Sequence, residues 1–358
     1  MQSNTNRKAQ LLGLLVAACL GAAQWAYAQP ENLPQVEVKD VRRVYDKGPH
    51  NAFTDLIRWQ DRFWLTFRSC PDGHMVHPSS CIIVMSSTDT RTWQEVHRFS
   101  VPLRDTRDPH FLAFKGQLFV YTGTWYSGET TLPTDQYDMN KHLGYAVWTA
   151  DGTAWQGPRQ LEGTYGHYIW RAATFGDKAY LCGRRNKDFA QVNGEGEIVE
   201  SAMLESDDGL VWRYHSLFQE VSGDETAFIF DENGDMTAIG RRGRGPAQLI
   251  KSRPPYTEMT RSELTEYVGG PLVTRWGGRW VVGGRKSTDA GSRMVLYWLV
   301  DDKLVQFAQL PSDGDCSYPG FVELDPRHAV VSWYSTHETD AAGAKMTAVY
   351  VADVVIAE

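Results

Sequence analysis

Charged and phenolic residues gather at the open ends of six hairpin-like segments of this chain. Arg68, Arg171, Arg242 and Arg285 stand there with His50, His110 and His337, the carboxylates Asp108, Glu225 and Glu338, and Tyr318. A guanidinium presents a planar fork to a carboxylate. An imidazole titrates near neutrality and can give or take a proton. A phenol ionises near pH ~10, so Tyr318 can attack an electrophile at neutral pH only with a base beside it. Together these side chains suit the binding of an anionic group with proton transfer next to it. Each also has a plainer use. Arginines can pair neighbouring sheets, histidines can be hydrogen-bonded structure, and Asp108 can cap the loop before Pro109.

The elements that must position them repeat. Each unit is an apolar or aromatic run, a tight polar turn and a second such run. The copies are NAFTDLIRWQDRFWLTFR at Asn51–Arg68, DPHFLAFKGQLFVYTGTW at Asp108–Trp125, IWRAATFGDKAYLCGRR at Ile169–Arg185, ETAFIFDENGDMTAIGRR at Glu225–Arg242, GGPLVTRWGGRWVVGGR at Gly269–Arg285 and SYPGFVELDPRHAVVSWYSTHE at Ser317–Glu338. The turns centre near Asp61, Gly116, Asp177, Gly234, Gly278 and Pro326, a period of roughly 44 to 61 residues. Strand repeats of that length predict an all-β, six-bladed β-propeller. A hairpin brings the start of its first strand beside the end of its second. All six such ends then converge on one rim of the central channel. Arg241 and Arg242 are neighbours in one strand, so only one of them faces that channel.

Further strands follow most hairpins. Val36–Tyr45 has no local partner and is expected to complete the last blade and close the ring. Three turns share a pattern: Ser87, Asp89 and Trp93; Thr149, Asp151 and Trp155; Ser206, Asp208 and Trp212. The Asp bonds its own turn's amides and the Trp packs between strands, which is structural work.

The bulk properties narrow the field. Arg7 and Lys8, the apolar stretch Leu11–Ala23 and Ala26-Tyr27-Ala28 form a signal peptide over residues 1–28, leaving 29–358 as a single propeller domain. The protein is thus expected to be exported, periplasmic or secreted. Val16 to Cys19 also resembles a lipoprotein box, with acylation at Cys19 as the alternative to release. A net charge of -8 argues against nucleic acid. The apolar stretch is too short to serve as a membrane span. Of Cys70, Cys81, Cys182 and Cys316, the first two bracket one loop and are the expected disulfide. The spacing does not suggest zinc, and no nucleotide or flavin motif is present, so no metal and no cofactor are expected.

The Asp turns are shortened forms of the Asp-box, or BNR repeat, and the chain resembles the sialidase superfamily. In that family a Glu opens a hairpin that ends in an Arg, as Glu225 leads to Arg241-Arg242 here. A nucleophilic Tyr opens the last hairpin, where this chain has Tyr318. Arg285 matches another carboxylate-binding arginine. The resemblance covers the mature chain as a pattern and implies that Tyr318 is a nucleophile with Glu225 as its base. There are departures. The first hairpin opens with His50-Asn51 where sialidases carry an arginine, and the acid/base loop, Ser69–Ser80, offers Asp72, His74 and His77. His50, Asp108, His337 and Glu338 are therefore kept as acid/base candidates. Arg68, His110, Arg171, Arg242 and Arg285 are kept as substrate ligands.

The function expected is a monomeric glycoside hydrolase that removes a terminal acidic sugar, sialic or uronic, from a glycan. A polysaccharide lyase would use a His or Tyr base with an arginine on the uronate carboxylate. A non-catalytic glycan-binding propeller is the third reading.

Overall fold

A computed structural model describes residues 33–191 and 198–357. The expected signal peptide and Cys19 lie outside the described residues.

The hairpins form as the periodicity predicts, and each continues outward into further antiparallel strands. Four blades stand as separate four-stranded sheets, over residues 104–160, 168–219, 226–263 and 269–310. The remaining strands make one eight-stranded sheet. This differs from six separate blades for one local reason. His50–Trp59 meets Lys345–Ile356 through a single parallel pair, His50 opposite Thr347. On one side of that pair lie the antiparallel strands of residues 50–99, and on the other those of residues 316–356. Val36–Tyr45 pairs antiparallel with Lys345–Ile356, with Val36 opposite Ile356.

Burial falls from the axis outward. In His50–Trp59 the first seven residues are buried, while Trp155–Gln160, an outermost strand, is almost wholly exposed. Aromatic side chains fill the seams between sheets: Trp276 stacks on Trp298 at 5.6 Å and meets Phe321 at 5.7 Å. Each such side chain, fully buried, stabilises by roughly 1.5–3 kcal/mol or more. No helix among the described residues is long and apolar enough to cross a membrane.

The three Asp turns share one geometry. Asp89 Oδ1 accepts from the amides of Arg91 and Thr92, Asp151 Oδ1 from Thr153 and Ala154, and Asp208 Oδ1 from Leu210 and Val211. Gly152 and Gly209 take positive φ there, and Thr90 takes the same conformation in the first turn.

The expected disulfide is absent: Cys70, Cys81, Cys182 and Cys316 are free thiols. Cys81 lies opposite Ser69 in the sheet, not opposite Cys70. Successive side chains on a strand point to opposite faces, so the two thiols face apart.

Candidate functional site

The site is made by an irregularity in the first strands. In five hairpins a two-residue bulge interrupts the ladder at the same place: Phe53-Thr54, Asp108-Pro109, Trp170-Arg171, Gly270-Pro271 and Tyr318-Pro319. Proline has no amide to give the ladder, so three of these bulges are written into the sequence. A bulge bends its strand and re-aims a side chain. Phe53, Asp108, Gly270 and Tyr318 all have φ between 50° and 64°. That region costs a residue with a Cβ about 1–3 kcal/mol and marks sites where the fold holds a chosen orientation. Asp108 and Tyr318 thus hold the same position in two hairpins, and both turn toward one point.

At that point Tyr318 Oη donates a short hydrogen bond to Glu225 Oε1 and lies 3.3 Å from Asp108 Oδ2. Tyr168 donates to the same Asp108 oxygen at 2.6 Å. Glu225 Oε2 accepts from Arg241 Nη1 and from the amide of Gly270, each at 3.0 Å. Asp224 braces the arginines, 3.2 Å from Arg241 and 2.7 Å from Arg184. Phe53, Trp170, Tyr334 and His110 surround the Tyr318 ring, with His110 lying parallel to it at 6.3 Å.

The electrostatics assign the protons. Burial raises the Tyr318 phenol well above its ordinary value, and the charges of Asp108 and Glu225 add to this. Burial also opposes the charge on Glu225, but the Arg241 guanidinium and the Tyr318 hydroxyl outweigh it and hold the carboxyl below its ordinary value. At neutral pH the pair is therefore phenol and carboxylate, an arrangement in which the phenol proton can pass to Glu225. Asp108 is pushed up to about 6 by burial, against Arg107 and with the help of Glu225.

That shift has a measurable sign. A folded-state value of about 6 lies above the unfolded one, so ionised Asp108 destabilises the fold. The penalty is zero below the unfolded pKa of about 4 and complete above about 6, where it reaches about 3 kcal/mol. Asp108→Asn, which keeps groups for Tyr168 and Tyr318, should be more stable than the parent by roughly 1–3 kcal/mol at pH 8 and equal to it at pH 4. Urea titrations at the two pH values read this; an advantage independent of pH would refute it.

The other expected residues fall into two groups. Arg285 reaches the site lightly held, 3.4 Å from Tyr267 Oη and 3.6 Å from Asp315. Tyr267 also carries the Arg241 guanidinium at 5.8 Å from its ring, so Arg241 and Arg285 both meet Tyr267. The rest are elsewhere or already occupied. Arg242 points away to Glu263, and Arg241 takes its place. Arg68 is fully buried and spends its donors on Asp105, His50 and the carbonyls of Gly73 and Met75. Arg171 is a crossbar at the axis, bonded to Asp55 and to the carbonyls of Pro271 and Pro319. His110 sits beneath Tyr318, 1% exposed, lowered to about 4 by burial and Arg171, and so supports the ring rather than meeting a ligand. His50 is buried between Arg68 and Asp315 and lowered to about 4, chiefly by burial. His337 and Glu338 lie on the far side of a bulge, against Tyr350 and Arg43.

Sequence reasoning missed Tyr168, Gly270 and Asp224, and a cleft of about 950 Å³ that Asp224 lines. Trp125 and Tyr137 line the cleft together with Arg184, Arg241, Arg242 and Arg244.

The fold defines a β-propeller, a class whose solved members similar to this chain include glycoside hydrolases. The chain is similar to a protein of unknown function from Dyadobacter fermentans, 19% identical with a TM-score of 0.72, covering 91% of this chain and 100% of that one. It is also similar to Trypanosoma rangeli sialidase in complex with sialic acid, 12% identical with a TM-score of 0.62. That match covers 90% of this chain but 59% of the sialidase, so the chain spans little more than half the length of that enzyme. An α-L-arabinofuranosidase from Fusarium graminearum, bound to an iminosugar inhibitor, is 14% identical with a TM-score of 0.61, covering 88% of this chain and 97% of that one. At these identities the likeness is one of fold. No protein-family model and no curated protein sequence matches the chain.

Proposed function

We propose that the protein is an exported glycoside hydrolase that releases a terminal acidic sugar from a glycan. The observation that carries this is the Tyr318 hydroxyl bonded to Glu225, whose other oxygen is fixed by Arg241 and the Gly270 amide. In the reaction Tyr318 Oη bonds to the anomeric carbon while its proton passes to Glu225. A neutral phenol approaches an anionic sugar without the repulsion that a carboxylate nucleophile would meet, a use of tyrosine known among sialidases. Arg285 and Arg241 would receive the sugar's carboxylate, with Arg107, whose Nη1 has no hydrogen-bond partner among the described residues, as a third cation. Arg107 packs over Phe53 at 5.5 Å, and the Phe53 ring touches Tyr318 at 5.0 Å. It stands in for the arginine that the first hairpin lacks.

We infer that the eight-stranded sheet is two blades joined at His50–Thr347, giving six in all, with Val36–Tyr45 closing the ring. Export follows from the basic, apolar and small-residue pattern of residues 7–28.

The test is mass spectrometry of products after the purified protein meets a panel of sialosides, uronides and neutral glycosides. Release of an acidic monosaccharide carrying one added water supports the reading. A product lighter by one water would replace it with a lyase. Binding without turnover across the panel would replace it with a glycan-binding propeller.

A further inference from the structure

The tyrosine–glutamate pair supplies a nucleophile and its base, but bond cleavage also needs a proton for the leaving oxygen. His74 lies in the loop between Arg62–Cys70 and Cys81–Ser87. Its Nδ1 is 2.8 Å from Asp315 Oδ2, and its side chain is 51% exposed. Its Nε2 has no partner among the described residues. The Phe53 ring links it to the nucleophile, 5.8 Å from the His74 ring and 5.0 Å from Tyr318. An imidazole oriented through one nitrogen by a carboxylate, with the other nitrogen open to a substrate, is how a proton-transfer group is commonly held.

Asp315 is built for that task. Oδ1 accepts from the Tyr334 hydroxyl at 3.0 Å, and Oδ2 from His50 at 3.1 Å as well as from His74. Burial opposes its charge, yet the hydrogen bonds from the two histidines keep the carboxyl far below its ordinary value. It stays ionised and accepts from His74 Nδ1, which fixes the ring's orientation.

His50, His74 and Asp315 also place one ligand atom each within 4.8 Å of one another, close enough to hold a cation. The surroundings oppose that use. Arg68 Nη1 lies 3.2 Å from His50 Nδ1, and a guanidinium can only donate. Nδ1 therefore accepts, and the ring proton sits on Nε2, aimed at Asp315. A cation on Nε2 would move that proton to Nδ1, against the Arg68 donor, whereas a ligating histidine ordinarily turns its second N–H to an acceptor.

We propose that His74 is the general acid/base of this site and that Asp315 is its positioning residue. The proposal rests on the hydrolase reading. In the first step the bond from the anomeric carbon to the leaving oxygen breaks, and that oxygen takes the Nε2 proton of His74. The anomeric carbon bonds to Tyr318 Oη, and the tyrosine proton goes to Glu225. In the second step a water oxygen bonds to the anomeric carbon and His74 takes a water proton. The bond to Tyr318 breaks, and Glu225 returns its proton to the phenol.

The test compares two substrates of the same sugar: a glycan with a sugar leaving group, and the dinitrophenyl glycoside, whose leaving group departs without a proton. His74 is on an exposed loop, so His74→Ala should fold. Its kcat/KM should fall by about 10²–10⁴ on the glycan and less than about fivefold on the dinitrophenyl glycoside. Asp315→Asn should show the same split to a smaller degree. Equal losses on both substrates would show a structural role, and no loss on the glycan would remove His74 from the reaction; either overturns the proposal. Wild-type protein inert toward the dinitrophenyl glycosides of the whole panel would instead overturn the hydrolase reading, and this proposal with it. Activity abolished by a chelator and restored by a divalent cation that His74→Ala no longer binds would replace the dyad with a metal site.

Discussion

Tyr318→Phe should lower turnover by roughly 10³-fold or more while leaving the fold intact. The chemistry explains the size. Phenylalanine fills the same cage of Phe53, Trp170, Tyr334 and His110 but has no oxygen for the nucleophile's role proposed for Tyr318. The packing explains the intact fold. Glu225 keeps its bonds from Arg241 and the Gly270 amide, and Asp108 keeps Tyr168. What is lost is one hydrogen bond to a buried carboxylate whose other oxygen keeps its partners, about 1.5–3 kcal/mol. Turnover on whichever substrate the panel identifies, set beside thermal denaturation of both proteins, separates the two effects. A variant that keeps a tenth of the parent activity would remove Tyr318 from the nucleophile's place.

A comparably large effect, on stability, is expected from Asp105→Ala. Asp105 and Arg68 are both fully buried, joined at 2.9 and 3.1 Å. The same carboxylate also binds Arg107 at 2.6 and 3.1 Å. Alanine would leave two guanidinium groups inside the protein without their counter-charge. Breaking a buried pair from one side costs about 3–5 kcal/mol, a large share of the roughly 5–15 kcal/mol that holds a domain. The pH dependence has the opposite sign to that of Asp108. Burial works against the Asp105 charge, but Arg107 and Arg68 hold the carboxyl below its ordinary value. Its contribution is present above the unfolded pKa of about 4 and is lost as pH falls through the lower folded value. Urea midpoints of parent and variant at pH 7 measure the loss; a difference under about 1 kcal/mol would mean that the pair is not the anchor its burial implies.

Much of this arrangement could be read before any coordinates. The hairpins follow from apolar runs around tight turns, and hairpin geometry places Glu225, Arg241 and Tyr318 at their ends. The three Asp turns were legible because each side chain bonds amides only a few residues away. What was not legible follows mainly from the bulges. One extra residue reverses the alternation of side chains along a strand. Unbroken alternation puts Arg171 and His110 on the rim, whereas the bulges turn them to the axis, and a bulge between Ser335 and Glu338 carries His337 and Glu338 off it. Alternation from a strand end could not choose between Arg241 and Arg242 either. The signal that would have helped is the proline after Asp108, Gly270 and Tyr318, each marking a bulge. The His74–Asp315 contact joins residues 241 apart through a loop, and no local pattern announces it.

The crossbar at the axis bears on how this molecule comes apart. Blades in a ring touch their neighbours, and assemblies coupled only to neighbours can lose one unit at a time. Arg171 reaches from the sheet of residues 168–219 to Asp55, Pro271 and Pro319, which belong to three other runs of strands. Fraying of any of these releases a ligand of the same guanidinium and weakens the hold on the others. One side chain in the middle thereby couples distant parts of the ring, so that melting tends toward a single all-or-none event rather than a gradual peeling of blades.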